Sequence, residues 1–238
     1  MAVKKGEGDH EVVFSRVTIP RWGENITGWN TRPQRRPAPG VLICPDAWGV
    51  TGFIEAFCHR LSRHGYTCLA VEPYSRGGKP RRSDSLAAAR QAFAQIPVRP
   101  LAGDLVAGLE FMRKSGDADP ARIGILGIGE GGRAAVALAA DTELKLRCLV
   151  LLYASVPVTP PRVPVPTLGL YGAKDDVVPP DAARAFAATV SREGGRPELL
   201  VYPDAGHGFL DDERDTFVEA SADDAWNRLL ACLRANLI

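Results

Sequence analysis

Arg122-Ile-Gly-Ile-Leu-Gly127-Ile128-Gly129-Glu130-Gly131-Gly132-Arg133-Ala-Ala-Val-Ala-Leu-Ala-Ala140 is the stretch from which the fold can be read. A short apolar run enters a turn of glycines and leaves as a run of small helix-forming residues. Strand, tight turn and helix in that order are the layout of a nucleophile elbow, in which the middle residue of the turn presents the attacking atom. Here the middle residue is Gly129, so the motif lacks its reactive side chain.

Reading outward from the elbow, short continuous apolar runs recur at Val41 to Cys44, Thr67 to Val71, Ile123 to Leu126, Cys148 to Leu152, Thr167 to Leu170 and Glu198 to Tyr202. Between them lie stretches of helical periodicity, about Gly52 to His64, Ser83 to Gln95, Leu101 to Lys114, Gly131 to Ala140, Pro180 to Ser191 and Asp215 to Ala235. Strands apolar on both faces that alternate with helices predict a mostly parallel sheet with helices on both faces. Ahead of it, Glu11 to Ile19 and Ile26 to Asn30 read as an antiparallel opening joined by a turn at Pro20 to Asn25. Pro180 suits a first helical turn and Gly65 a helix end. The Pro-rich stretch Val156 to Pro166 reads as a loop between two strands rather than a linker, so one α/β domain is expected over 1–238.

Composition narrows the function. The chain has 238 residues, 45% hydrophobic, with 29 Lys and Arg against 28 Asp and Glu. Balanced charge gives no reason to expect nucleic acid as a partner, and the basic runs at Arg32 to Arg36 and Lys79 to Arg82 sit among Pro and Gly as solvated loops. The polar start, Met-Ala-Val-Lys-Lys-Gly-Glu-Gly-Asp, has neither a signal nor a membrane span, so the expected compartment is the cytoplasm. Cys44, Cys58, Cys68, Cys148 and Cys232 lack metal-ligand spacing and read as small hydrophobes. Richness in Ala, Arg, Gly and Pro suggests a high-GC bacterium, where such chains sometimes serve specialised metabolism.

In open α/β sheets ligands gather beyond the carboxyl ends of the strands. Four such ends carry polar features: Pro45-Asp46-Ala47-Trp48-Gly49, the glycine turn, Gly172-Ala-Lys-Asp175-Asp176-Val-Val-Pro179, and Pro203-Asp-Ala-Gly206-His207-Gly208-Phe209. Elbow, acid and histidine follow in the chain order of an α/β-hydrolase triad, in which His takes a proton from the nucleophile and the acid fixes its tautomer.

With these residues in view, the chain resembles the dienelactone hydrolase family from about Val41 to its end. The carriers are Val41-Leu-Ile-Cys-Pro-Asp46-Ala-Trp-Gly-Val50, Gly65-Tyr66 with Glu72-Pro-Tyr74, Gly-x-Lys-Asp175-x-x-Val-Pro, and Gly206-His207-Gly-Phe209 followed by Ala225-Trp226. The resemblance implies Asp175 and His207 as catalytic acid and base, and the N–H groups of Glu130 and Ala47 as the oxyanion hole. It places Asp46 where the family usually has a glutamate beside the nucleophilic cysteine. Two positions depart from the pattern: the cysteine is Gly129, and the arginine that grips a substrate carboxylate is Asp211.

These residues imply a small carbonyl or lactone-like substrate and no cofactor. Asp46, Trp48, Glu130, Asp211 and Arg76 are candidates to line its pocket. Without a nucleophile, His207 acts on water or on a substrate proton, leading to direct hydrolysis, elimination, isomerisation or cyclisation. The competing readings are a catalytically silent ligand- or partner-binding descendant and a dinucleotide-binding protein. The latter arises because Gly127-Ile-Gly129-Glu-Gly-Gly132 also satisfies Gly-x-Gly-x-x-Gly, although the next strand ends at Leu152-Tyr153-Ala154-Ser155 without the acid a ribose needs. Cys44 and Ser155 are weaker nucleophile candidates, since neither sits in an elbow.

Overall fold

The apolar runs become strands and the periodic stretches helices in the computed structural model of the chain, which describes residues 8–81 and 84–238. The polar start at residues 1–7, Arg82 and the expected helix start at Ser83 lie outside the described residues. Among the described residues are eight strands and six α-helices, the strands mostly parallel. The chain divides into two units, Met1–Ile123 and Gly124–Ile238.

The first unit opens with an antiparallel hairpin, β1 (Val12–Arg21) against β2 (Glu24–Pro33). Its turn is tighter than the six residues expected, because Trp22 and Gly23 both take positive φ, the geometry that closes a two-residue hairpin. β2 pairs antiparallel with β4 (Thr67–Val71), which pairs parallel with β3 (Ala38–Cys44), giving the order β1-β2-β4-β3. Every residue of β4 is buried, as both-face burial requires. α1 (Gly52–Arg63) starts at Thr51, whose hydroxyl accepts from the Ile54 N–H, and buries Phe53, Ile54, Phe57, Cys58 and Leu61. α2 (Leu86–Ala94) and α3 (Val98–Lys114) follow. The first basic run is not a solvated loop: Arg32 lies within β2, and Arg32 and Arg36 both pair with Asp117.

β5 (Ala118–Ile128) carries the boundary between the units. In the second unit it pairs parallel with β6 (Leu149–Leu152), which pairs with β7 (Thr167–Gly172), which pairs with β8 (Pro197–Tyr202). α4 (Gly132–Ala140), α5 (Pro180–Arg192) and α6 (Glu219–Leu237) complete the unit. Pro180 occupies the first helical turn as expected, and residues 156–166 run as a loop between β6 and β7. α6 begins four residues later than the periodicity suggests. The segment ahead of it is tied down by Val218 N–H to the Phe209 carbonyl at 3.2 Å and Thr216 Oγ1 to the His207 carbonyl at 2.7 Å. Among the described residues no helix is long and apolar enough to cross a membrane.

Candidate active site

Three strand ends of the second unit bring its chemistry together. β5 runs into a 3-10 turn, Gly129–Gly131, from which α4 departs. Gly129 holds φ +49°, the left-handed conformation that an elbow imposes on its middle residue and that glycine adopts without steric cost. The backbone shape of an elbow is therefore present without a side chain at its apex.

After β7, Asp175 is 4% exposed and its carboxylate is fully engaged. Oδ1 accepts from the N–H groups of Val177 at 2.9 Å and Val178 at 2.7 Å, while Oδ2 lies 3.0 Å from His207 Nδ1. A carboxylate only accepts, so Nδ1 carries the proton in this pair and Nε2 is left as the basic nitrogen. Asp176 makes no such contact with His207; Asp175 is the residue that the Asp-x-x-Val-Pro spacing singled out. The two loops meet because Gly172 has no side chain: a Cβ there would stand 2.3 Å from the Ala205 carbonyl oxygen. The Ala173 N–H to the Tyr202 carbonyl at 2.8 Å and the Lys174 N–H to the Ala205 carbonyl at 2.9 Å lock the approach.

Tyr153 follows β6 at φ +37°, a rare conformation for a bulky residue, and its ring meets that of His207 edge-on with centroids 5.1 Å apart. Sequence pattern placed Tyr153 only at the end of the strand after the elbow, and the strained backbone leaves no trace in periodicity. Two residues on, the Ser155 hydroxyl donates to Glu130 Oε2 at 2.9 Å. Tyr171 donates its hydroxyl to the Ala154 carbonyl at 3.0 Å. Burial, and then the nearby Asp175 charge, push this phenol well above its ordinary value, which keeps it a donor.

Asp211, expected from the resemblance to stand in place of an arginine, is fully buried, with a carboxylate turned into its own loop. It accepts from the Glu213 N–H at 3.1 Å and from Arg214 Nε at 2.9 Å. Phe209 packs against Tyr153 and Tyr202 as core.

In the first unit, the loop after β3 holds Asp46, Ala47 and Trp48, all buried. Asp46 Oδ1 accepts from the Trp48 N–H at 3.1 Å, and the Asp46 carbonyl from the Gly49 N–H at 2.9 Å. Tyr74 donates its hydroxyl to the Ala47 carbonyl at 2.6 Å. Glu72, at the end of β4, accepts from the N–H groups of Val50 and Tyr74 and from Lys79. Glu72 and Tyr74, which the sequence marked only as family landmarks, thus clamp the Ala47 loop. Arg76 is engaged elsewhere. It grips Asp104 through both terminal nitrogens at 2.8 and 3.0 Å, and Glu24 through Nε at 2.8 Å. Cys44 is buried, and desolvation pushes its thiol up to about 12, which suits packing and not attack. Among the described residues no cluster of His, Cys, Asp and Glu is arranged to hold a metal ion.

The model of the dienelactone hydrolase family matches residues 26–237. The chain belongs to that family. This dienelactone hydrolase-like chain is 30% identical, over 93% of its length and 87% of the relative's, to an Escherichia coli K12 protein named for carboxymethylenebutenolidase activity. A Bradyrhizobium protein named for 2-oxo-3-(5-oxofuran-2-ylidene)propanoate lactonase activity is 26% identical over 95% of this chain. A crystal structure described as a dienelactone hydrolase from Klebsiella pneumoniae has a TM-score of 0.85 at 29% identity, covering 94% of this chain and 99% of that one. These likenesses make the α/β-hydrolase fold and a hydrolase ancestry plain. The glycines of the elbow belong to that fold: a Cβ on Gly132 would fall 2.4 Å from the Ser155 carbonyl oxygen, so protein fills the space beside it.

Proposed function

We propose that the chain acts on a small lactone or ester by general acid/base chemistry without an acyl-enzyme. The observation that carries this reading is the buried His207–Asp175 pair in the same unit as an elbow that keeps its left-handed φ with glycine at the apex. Nε2 of His207 takes a proton from water as the water oxygen attacks the carbonyl carbon. The oxyanion that forms is held by backbone N–H donors, that of Glu130 among them. Collapse expels the alkoxide, which recovers the proton from His207, so ring opening consumes one water and regenerates the dyad. A substrate with an acidic C–H beside its carbonyl instead yields that proton to His207, and the same donors hold the enolate, which leads to elimination, isomerisation or cyclisation.

Oxyanion donors and substrate positioning retain roughly 10³–10⁴-fold catalysis over water when a triad is broken. Loss of the nucleophile is therefore compatible with turnover. The vacant apex equally favours a second reading, a silent descendant that binds ligand without converting it.

The deciding experiment measures opening of carboxymethylenebutenolide, the lactone for which the relatives are named, by native chain, His207→Ala and Gly129→Cys. Turnover by native chain that disappears in His207→Ala supports the proposal. Native turnover that survives His207→Ala removes the general base, and saturable binding without turnover, with activity only in Gly129→Cys, establishes the silent descendant.

A further inference from the structure

Ser155 is buried in the second unit and touches two consecutive residues of the elbow. Its N–H donates to the Gly129 carbonyl at 2.8 Å. That same carbonyl accepts the Gly132 N–H at the start of α4, so both of its lone pairs are engaged. A trans peptide is planar and carries its C=O and N–H on opposite sides. Fixing the Gly129 carbonyl therefore fixes the direction of the Glu130 N–H, which belongs to the same peptide unit.

The Ser155 side chain acts on the same residue. Its hydroxyl donates to Glu130 Oε2 at 2.9 Å and holds the carboxylate to itself. The segment that carries Ser155 is braced in turn. Tyr171 bonds the Ala154 carbonyl, and Gly132 leaves room for the Ser155 carbonyl and the Ala154 Cβ, which would lie 2.4 and 2.6 Å from any Cβ there.

We propose that Ser155 is a positioning residue for the oxyanion donor. Its N–H aims the Glu130 amide, and its hydroxyl keeps the Glu130 carboxylate away from the place where negative charge develops. A carboxylate released next to a forming oxyanion would oppose it by Coulomb repulsion, strongly so in a site that excludes water. The inference rests on the reading of the Glu130 N–H as an oxyanion donor, and gives the serine after β6 a task other than attack.

The test uses the full-length Gly129→Ser variant with p-nitrophenyl acetate, in which the burst of nitrophenolate reads acylation whether or not the native chain turns anything over. Adding Ser155→Ala should slow acylation roughly tenfold with KM unchanged, a part of the roughly 10²–10³ that outright loss of one donor costs. Adding Glu130→Gln to that pair should restore most of the rate, and Ser155→Thr, which keeps both donors, should match Gly129→Ser. Equal acylation with and without the Ser155 hydroxyl, or no recovery with Glu130→Gln, overturns the proposal. Should Gly129→Ser give no burst, or Ser155→Ala fail to fold, the amide spectrum of folded native chain and Ser155→Thr decides. The Glu130 amide resonance should move as methylphosphonate, a mimic of the oxyanion, is titrated into either, and a Glu130 amide that stays in place in both overturns the assignment. An inert native chain with the expected burst pattern removes only the non-covalent reading.

Discussion

His207 Nδ1 stands 3.0 Å from Asp175 Oδ2, while the other oxygen of the same carboxylate is held by the N–H groups of Val177 and Val178. Asp175 is thus fixed by its own loop before it meets the imidazole, and this fixes the ring's tautomer in turn. In Asp175→Asn an amide oxygen can still face the two N–H groups, but its NH₂ then faces Nδ1 and favours the opposite tautomer. The rate of lactone opening should fall about 10²–10⁴-fold, the usual contribution of a placed acid/base group, with KM little changed. A rate within threefold of native would show that the pair does not serve catalysis. Asp175→Ala should add a loss of about 1–3 kcal/mol for each buried N–H left without a partner, read from urea unfolding.

Gly172 tests how the two halves of that pair are brought together. Its Cβ would lie 2.3 Å from the Ala205 carbonyl oxygen and 2.9 Å from that of Gly206, both backbone atoms of the loop that carries His207. Gly172→Ala should therefore push the loop away, cost about 1–3 kcal/mol as overpacking does, and lengthen the His207–Asp175 contact. The histidine Nδ1 proton resonance should weaken or vanish in NMR spectra. Unchanged stability with an intact resonance would mean that the loops meet for another reason.

The thiols give a check that needs no substrate. Burial pushes Cys44 and Cys68 up from 9.0 to about 12, whereas the Cys148 thiol, followed by Asn236, bonds Cys232 and draws it down. Iodoacetamide at pH 7–8 should label Cys232 first and leave Cys44 untouched until the chain unfolds. Early labelling of Cys44 would revive it as a nucleophile. A thiol whose value is raised by folding stabilises the folded state fully below its unfolded value and progressively less above it. The urea midpoint should accordingly fall between pH 9 and 12, with a shallower fall in Cys44→Ala.

The His207–Asp175 pair was legible in the sequence because it depends on local patterns: both residues sit just past apolar runs, in motifs that need no knowledge of packing. Strand cores were legible for the same reason, β4 to the residue, since both-face burial writes itself as a continuous apolar run. Ends were less so. β5 begins at Ala118, five residues before its apolar run, and α6 starts at Glu219 because residues 211–218 are tied to the His207 loop. The task of Ser155 was out of reach, because a single serine after a strand acquires meaning only from the Gly129 carbonyl and Glu130 carboxylate folded against it. Arg76 misled for the converse reason. An arginine in a loop near a strand end resembles a pocket residue until its partners, Asp104 and Glu24, are seen.

Asp211 separates two explanations of the substrate. If the chain had merely exchanged a carboxylate-gripping arginine for an acid in an otherwise unchanged pocket, Asp211→Arg would restore selectivity for anionic lactones. The side chain is instead 1% exposed, and its carboxylate pairs with Arg214, itself 12% exposed. Removing one member of a buried pair strands the other charge, at a cost of about 3–5 kcal/mol. Both Asp211→Arg, which sets two cations together, and Asp211→Ala should thus lower the urea midpoint sharply without any gain for anionic over neutral lactones. Asp211→Asn, which keeps an acceptor for Arg214, should lose less stability and leave the selectivity as it was. A folded Asp211→Arg variant whose KM drops for the carboxylate-bearing lactone alone would instead place residue 211 in contact with substrate.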